Sequence, residues 1–138
     1  MRLLPGLLPD SPPSQADRAF VGRSAHLEGV GDDSHSWSFD GHRCRTYHGS
    51  GASWGSFGER WKAGDVVGCT VNIDKGVVKY SLNGDWGGPM SKMGVAFEGI
   101  TFDSFLRPAI SCQRPGQFRL NMGSAPFSYP PPQGYRAV

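Results

Sequence analysis

The sequence predicts an all-β protein folded as a bent antiparallel β-sandwich. Twenty glycines and eleven prolines among 138 residues are too many for a helical bundle. Short runs rich in β-branched and aromatic residues recur along the chain and are separated by Gly, Asp and Asn. One of these runs ends at Asn83-Gly84, the dipeptide most typical of a two-residue hairpin turn. Short strands at this spacing favour a sandwich.

Length and composition restrict the class of protein further. A chain of 138 residues suits one domain, and 38% hydrophobic with 19% charged residues excludes a charge-rich disordered chain. A net charge of +2 is too small for a nucleic-acid binder. No apolar run approaches the roughly 20 residues of a membrane span, and Leu3–Leu8, interrupted by Pro5, is too short for a signal peptide. We therefore expect a cytoplasmic protein.

The N-terminal residues differ from the rest of the chain. Four prolines interrupt them: Pro5, Pro9, Pro12 and Pro13. Proline cannot donate to a β-ladder and breaks helices, so the pattern argues against a helix and against a central strand. We expect a disordered Pro-rich tail over residues 1–16 and one folded domain over residues 17–138.

The clearest strands form a central hairpin. They span 66–73 and 77–82, with Asp74-Lys75-Gly76 between them and Asn83-Gly84 after the second. Apolar side chains alternate along both strands, which predicts one core-facing side. The predicted core residues are Val67, Cys69, Val71 and Ile73 in the first strand and Val78, Tyr80 and Leu82 in the second.

Further strands are predicted on either side of this hairpin. Residues 36–39 and 43–48 form an earlier hairpin, which a Gly/Ser loop follows at 49–51. Later strands are expected at 94–97, 107–112 and 117–121. Pro108 places its strand at a sheet edge or puts the proline at a strand start.

Titratable residues are concentrated between Asp32 and His48, where an enzyme or metal site is the first hypothesis to weigh. The extended spacing separates Cys44 from His48 by roughly 13 Å, too far for a shared zinc ion. Cys44 and His42, at i and i+2 on one strand face, leave a thiol hydrolase open, and a hydrolase built on Asp32 and Asp33 is a second form of the same alternative. The Asp pair is explained more simply by turn formation beside a glycine.

Three cysteines, Cys44, Cys69 and Cys112, are too far apart for a C-x-x-C motif and odd in number, so we expect free thiols in or near the core.

Among the four tryptophans, Trp54 is flanked by small residues in a predicted loop. An exposed tryptophan is a common anchor in protein interfaces. Trp54 is therefore a candidate contact residue.

Four sequence blocks resemble those of a SPRY domain in order and spacing: GVGDDSHSWSFDG at 29–41, WKAGDVVGC at 61–69, VKYSLNG at 78–84 and RPAIS at 107–111. FRLNMG at 118–123 and GYR at 134–136 are similar to the closing strand and tail of that family. These blocks are similar to those in the SPRY domains of ubiquitin ligases and ryanodine receptors. The resemblance covers residues 17–138.

This resemblance implies a module without catalytic residues, metal or cofactor that binds a protein or short peptide through its edge loops. In members that bind Asp/Asn-rich peptides, a Tyr within an Arg-Leu-Tyr-His block lines the pocket. Here Arg45-Thr46-Tyr47-His48 matches that block, which implies contacts from Tyr47 and Arg45. The loop before the closing strand adds Gln113, Arg114 and Pro115. A substrate-recruiting or scaffold role in a ubiquitin ligase-like protein follows from the same resemblance.

The chain also departs from the family. SPRY domains open with Gly-x-Trp-Tyr-x-Glu and Val-x-Ile-Gly-Trp blocks, and neither occurs here. We therefore expect a sandwich that lacks its first strands, which would expose apolar faces and sheet edges. Two alternatives to partner binding stay open: a truncated form that binds nothing, and the Cys/His-dependent hydrolase.

Overall fold

The computed structural model describes residues 2–5, 29–49, 53–102, 105–112 and 117–137. All regular structure in these residues is β-strand, which confirms the all-β prediction. The strands are β1 (Arg2–Pro5), β2 (Trp37–Asp40), β3 (Arg45–Tyr47), β4 (Ser53–Ser56), β5 (Val67–Asn72), β6 (Val77–Leu82), β7 (Gly94–Phe97) and β8 (Leu106–Ala109). Over the described part of the chain, no helix has the length and hydropathy that a membrane span requires.

The strands form two antiparallel sheets. One has five strands in the order β4-β3-β2-β1-β8, and the other has three in the order β5-β6-β7. Buried side chains from β2, β6 and β7, together with Met93 just before β7, form one hydrophobic cluster, which places the core between the two sheets. The members of this cluster are Trp37, Phe39, Val78, Tyr80, Met93 and Phe97.

Phe39 is the aromatic centre of this core. Its ring lies edge-on to Phe57 and Trp61, with centroids 5.2 Å away in each pair, and 5.6 Å from the ring of Tyr80 on the opposite sheet. The Tyr80 hydroxyl donates a long hydrogen bond of 3.5 Å to the backbone carbonyl of Trp37. Ring packing and this bond both connect the two sheets.

The central hairpin forms as predicted. Strands β5 and β6 pair in register from Val67 opposite Leu82 to Asn72 opposite Val77. Asn83 and Gly84 have φ values of 50° and 84°, and the Asp85 amide donates to the Leu82 carbonyl over 3.0 Å. Two positive φ values in a two-residue turn are the signature of type I′, so this prediction is confirmed.

The predicted core face of the hairpin is correct on β6 and partly correct on β5. Val78 and Tyr80 are fully buried, whereas Val67, Cys69, Val71 and Leu82 are half-buried and pack against the core cluster. Ile73 was expected to be buried but lies in the turn after β5, where 62% of its surface is exposed. Thr70, on the other face of β5, is buried instead.

The earlier hairpin is also confirmed, with a longer turn than expected. Strands β2 and β3 pair from Ser38 opposite Tyr47 to Asp40 opposite Arg45. Residues 41–44 form the turn, and Gly41 leaves room for the Trp61 indole, which would overlap a Cβ at that position. Of the predicted loop 49–51, residues 50–51 lie outside the described residues.

The N-terminal strand was not predicted. Residues 2–5 form β1 between β2 and β8, so the expectation that prolines exclude a central strand here is wrong. Pro5 is the last residue of β1 and lies beyond Arg2 and Leu3, the residues that pair with β2, so its missing amide donor removes no bond to that strand. Residues 6–28 lie outside the described residues, so the division into a 1–16 tail and a 17–138 domain stays a prediction.

Two later strands differ from expectation. Strand β8 ends at Ala109, three residues before the predicted end at Cys112, and Pro108 lies in a strand at the sheet edge as predicted. The strand predicted over 117–121 does not form. Phe118 and Leu120 are 62% and 48% exposed, and the Asn121 side chain bonds backbone groups of Gly123 and Ala125, which turns the chain. The alternating pattern has no neighbouring strand among the described residues.

Candidate functional site

The β2–β3 hairpin presents two different faces. Phe39 and Thr46 are paired across it and both are buried toward the core. Because side chains alternate along a strand, the neighbouring pairs lie on the opposite face. That face, called the outer face below, carries Ser38, Asp40, Arg45 and Tyr47. The structure thus brings together Arg45 and Tyr47, two of the predicted contact residues.

A tight turn before β2 packs onto the outer face. Gly31 in this turn has φ 99°, and a Cβ added there would lie 2.7 Å from both the Cβ and the carbonyl oxygen of Tyr47. The Gly31 amide donates to the Ser36 hydroxyl, which in turn donates to the Asp33 carboxylate, each over 2.8 Å. The turn therefore supports Tyr47, which is half-buried, beside Arg45, which is exposed.

Asp32 and Asp33 are turn-forming residues. The Asp32 carboxylate accepts a 2.6 Å bond from the Gly29 amide, and Asp33 accepts a 2.7 Å bond from the His35 amide. The Asp33 carbonyl also accepts from the Gly49 amide over 2.9 Å, which connects the turn to the end of β3. These bonds confirm turn formation as the role of the pair.

Arginine and aspartate side chains set the charge at the turn between β2 and β3. Arg43 forms a 2.8 Å ion pair with Asp40. Burial of Asp40 by itself raises its pKa, but hydrogen bonds from the backbone amide of Arg43, its guanidinium and the backbone amide of His42 outweigh that effect and lower the pKa. The same hydrogen bond has the opposite effect on its donor and raises the pKa of Arg43. Asp40 is thus an ionised cap for this turn.

Of the other predicted contact residues, the structure describes the backbone of Trp54 but not Gln113, Arg114 or Pro115. Trp54 was expected in a loop, which is wrong, because its backbone belongs to β4, the strand beside β3. Ser53 and Ser56 of that strand pair with Tyr47 and Arg45, which puts Trp54 near them in the sheet. Gln113, Arg114 and Pro115 lie outside the described residues, so their role stays a prediction.

An open groove of about 500 Å³ lies at the end of the sandwich and was missed by the sequence analysis. The rings of Trp37 and His48 stack there with centroids 4.7 Å apart and an interplanar angle of 10°, and Phe102 meets Trp37 edge-on at 5.3 Å. The backbone carbonyl of Ser36 accepts a hydrogen bond of 2.9 Å from His48 Nδ1. The end groove, as it is called below, is lined among others by Trp37, His48, Phe97, Glu98, Phe102 and Leu106. One sequence signal could have indicated the stacked rings. Trp37 and His48 are the next opposing residues after the Ser38–Tyr47 pair of the predicted hairpin.

The hydrolase alternative depended on a strand that is not formed at Cys44. Residues 42 and 44 lie in the 41–44 turn, and Cys44 has φ 52°, so they do not share a strand face. The Cys44 thiol is 4.0 Å from the Gly41 carbonyl. Over the described ranges, no three His, Cys, Asp or Glu side chains are grouped closely enough to hold a metal ion.

The cysteines are free, as expected, but not all belong to the core. Cys112 is exposed, whereas Cys44 and Cys69 are half-buried. Burial of the Cys69 thiol raises its pKa to about 12. Because a thiolate is the reactive form, Cys69 is inert near neutral pH.

Comparison with known proteins agrees with this architecture. The family model for the SPRY domain matches residues 14–125, more than half of the chain. The E3 ubiquitin-protein ligase RKP of Arabidopsis thaliana is 33% identical over 108 residues, which is 75% of this chain and 8% of that protein. The chain thus spans less than a tenth of the relative's length. With two antiparallel sheets and this match, the chain belongs to the SPRY domain family.

Proposed function

We propose that this SPRY domain captures a protein or short peptide through the outer face of the β2–β3 hairpin, with Tyr47 and Arg45 as its principal contacts. The observation that carries the proposal is their position. They lie two residues apart on one strand face, with Tyr47 supported from below by the Gly31 turn. Trp54 and the segment with Gln113, Arg114 and Pro115 are proposed as further contacts.

The side chains suit this role physically. A half-buried tyrosine offers a large amphipathic surface with few rotatable bonds, so little entropy is lost on binding. The Gly31 turn packs against the Cβ and carbonyl oxygen of Tyr47, and a contact residue whose backbone is already fixed loses less freedom when the partner arrives. Arg45 adds a planar cation that binds carboxylates and amides. The proposed partner segment is therefore extended and carries acidic or amide side chains.

We further propose that the domain is the substrate-recruiting or scaffold part of a larger cytoplasmic ubiquitin ligase-like protein and has no catalytic role. Its similarity to a plant E3 ubiquitin-protein ligase supports this role. The described residues bring no nucleophile and base together on one strand face at Cys44 and His42, so the hydrolase gains no support.

The experiment is quantitative partner capture with the full chain and with Tyr47→Ala. We expect the substitution to remove the captured partner while thermal unfolding stays nearly unchanged, because Tyr47 is only half-buried. Capture that is equal in both forms would refute the proposed contact, and capture of nothing by the full chain would support the truncated, non-binding alternative.

A further inference from the structure

The end groove differs chemically from the outer face. Its walls are aromatic, with His48 and Phe102 both retaining exposed surface beside the buried ring of Trp37. Among the described lining residues, Glu98, which is exposed, is a carboxylate, and none is Lys, Arg or Asp. His35, at the rim, and His48 are the other titratable groups there. Glu98 is therefore the one carboxylate among the described lining residues.

Glu98 is also unneutralised within the described part of the chain. The ion pair found there joins Arg43 to Asp40, and no described cation pairs with Glu98. A solvated carboxylate beside aromatic ring surface attracts an organic cation in two ways. The carboxylate supplies charge, and the ring faces supply cation–π attraction.

We propose that the end groove binds an arginine or lysine side chain of the partner. The volume of about 500 Å³ holds such a side chain together with its flanking backbone, and lies in the range of small-ligand sites. The guanidinium of arginine suits the site better than an ammonium, because its plane can stack on the ring of either His48 or Phe102, which lie nearly perpendicular to each other, while its edge bonds the Glu98 carboxylate. This inference rests on the proposed function and adds a second element of partner recognition.

The two sites meet at the end of β3. Tyr47 is paired with Ser38 on the outer face, whereas its sequence neighbour His48 stacks on Trp37 in the groove. Because these two side chains lie on opposite faces of the sheet, a partner segment that places an acidic or amide residue at Tyr47 and a basic residue in the end groove has to pass around the end of β3. Opposite charge preferences at adjacent sites would fix the direction in which that segment binds.

The test uses two tripeptides of equal shape. Acetyl-Gly-Arg-Gly-amide carries a guanidinium, and acetyl-Gly-citrulline-Gly-amide replaces it with a neutral urea. Each is titrated into the ¹⁵N-labelled full chain, and the amide shifts of Gly99 and Thr101, both in the groove lining, are followed. We expect the arginine peptide to bind at least about fivefold more tightly than the citrulline peptide.

Variants then identify the carboxylate. Glu98→Gln should weaken the arginine peptide about three- to fivefold and leave the citrulline peptide unchanged, since an exposed ion pair contributes little more than that. Glu59→Gln, an exposed glutamate outside the groove lining, is the matched control and should change neither. Equal binding of the two peptides, an unaffected Glu98→Gln variant, or tighter binding of acetyl-Gly-Glu-Gly-amide would each overturn the proposal.

The experiments distinguish failure of the groove proposal from failure of the proposed outer-face contact at Tyr47. If the arginine peptide binds through Glu98 but partner capture is insensitive to Tyr47→Ala, the groove proposal stands and the outer-face contact is refuted. If Tyr47→Ala abolishes capture but the arginine peptide produces no shifts at Gly99 or Thr101, the groove proposal is overturned and the outer-face contact stands.

Discussion

Gly31 packs directly against Tyr47. A Cβ added at position 31 would lie only 2.7 Å from both the Cβ and the carbonyl oxygen of Tyr47. The turn before β2 and the contact strand β3 are therefore one packed unit. The turn therefore packs against the Cβ and backbone of Tyr47, which is also paired with β2 and β4. Stability of the turn and geometry of the site should consequently change together.

Gly31→Ala tests this coupling. The new methyl group would overlap Tyr47, and alanine disfavours the φ of 99° found there. We expect a loss of about 2–4 kcal/mol in the free energy of unfolding, from strain and overpacking combined. Gly64→Ala is the matched control, because Gly64 has φ 91° with open space around it, and its loss should be about 1 kcal/mol. Equal losses by chemical denaturation would contradict the close packing.

Asn83 should stabilise the central hairpin in two ways. Its φ is 50°, and its side chain accepts from the Val66 amide and donates to Asp65, each over 2.9 Å. Asn83→Ala should lower the free energy of unfolding by about 2 kcal/mol, since both bonds and the turn conformation are affected. Asn83→Gly, which keeps the turn conformation, should lose roughly 1 kcal/mol less. An Asn83→Ala variant as stable as the parent chain would refute this role.

Stability should decrease in acid because three carboxyl groups among the described residues have lowered pKa values. The Asn83 side chain lowers the pKa of Asp65, the Ser91 hydroxyl lowers that of Asp85, and hydrogen bonds from Arg43 and His42 lower that of Asp40 against the effect of its burial. A pKa that is lower in the folded chain means that ionisation favours folding. The contribution is complete above about pH 4 and is lost as the pH falls through the folded values.

Thermal unfolding at a series of pH values measures this effect. The melting temperature should be level from pH 7 to about pH 5 and should decrease below about pH 4. Asp85→Asn removes one of the three groups, so the decrease in acid should be smaller in that variant. A melting temperature that increases in acid would contradict the sign of all three shifts.

The cysteines should differ in reactivity. Cys112 is exposed, whereas burial raises the pKa of Cys69 to about 12. Two single-cysteine forms isolate them: Cys44→Ser with Cys69→Ser retains Cys112, and Cys44→Ser with Cys112→Ser retains Cys69. A thiol reagent at pH 8 should modify Cys112 at least about a hundredfold faster, because Cys69 forms almost no thiolate. Similar rates in the folded forms, or a Cys69 rate unaffected by denaturant, would contradict the burial of that thiol.

Local signals account for what the sequence predicted well. The β5–β6 hairpin follows from alternating apolar residues, and the turn after β6 follows from Asn83-Gly84, whose preference for positive φ is a property of the dipeptide. The β2–β3 hairpin and the shared face of Arg45 and Tyr47 follow from strand alternation together with the family resemblance.

Tertiary pairing decides the elements that the sequence predicted poorly. Residues 2–5 have a weak strand pattern, yet they pair with β2 and β8 on both sides. Residues 117–121 have a good alternating pattern but no strand beside them among the described residues, so Phe118 and Leu120 stay exposed. The end groove is missed for a similar reason, because Phe102 reaches Trp37 across 65 residues of sequence.

Partner capture with a matched pair of tyrosine variants tests the central claim most directly. The full chain, Tyr47→Ala and Tyr135→Ala are compared by quantitative proximity labelling and pull-down, with thermal unfolding measured for each. Tyr135 is also half-buried but lies in the C-terminal segment. We expect a partner that the full chain and Tyr135→Ala capture equally, and that Tyr47→Ala captures at least about tenfold less with an unchanged melting temperature. Equal capture by Tyr47→Ala, or equal loss in both variants, would contradict the claim that the outer face at Tyr47 is the binding site.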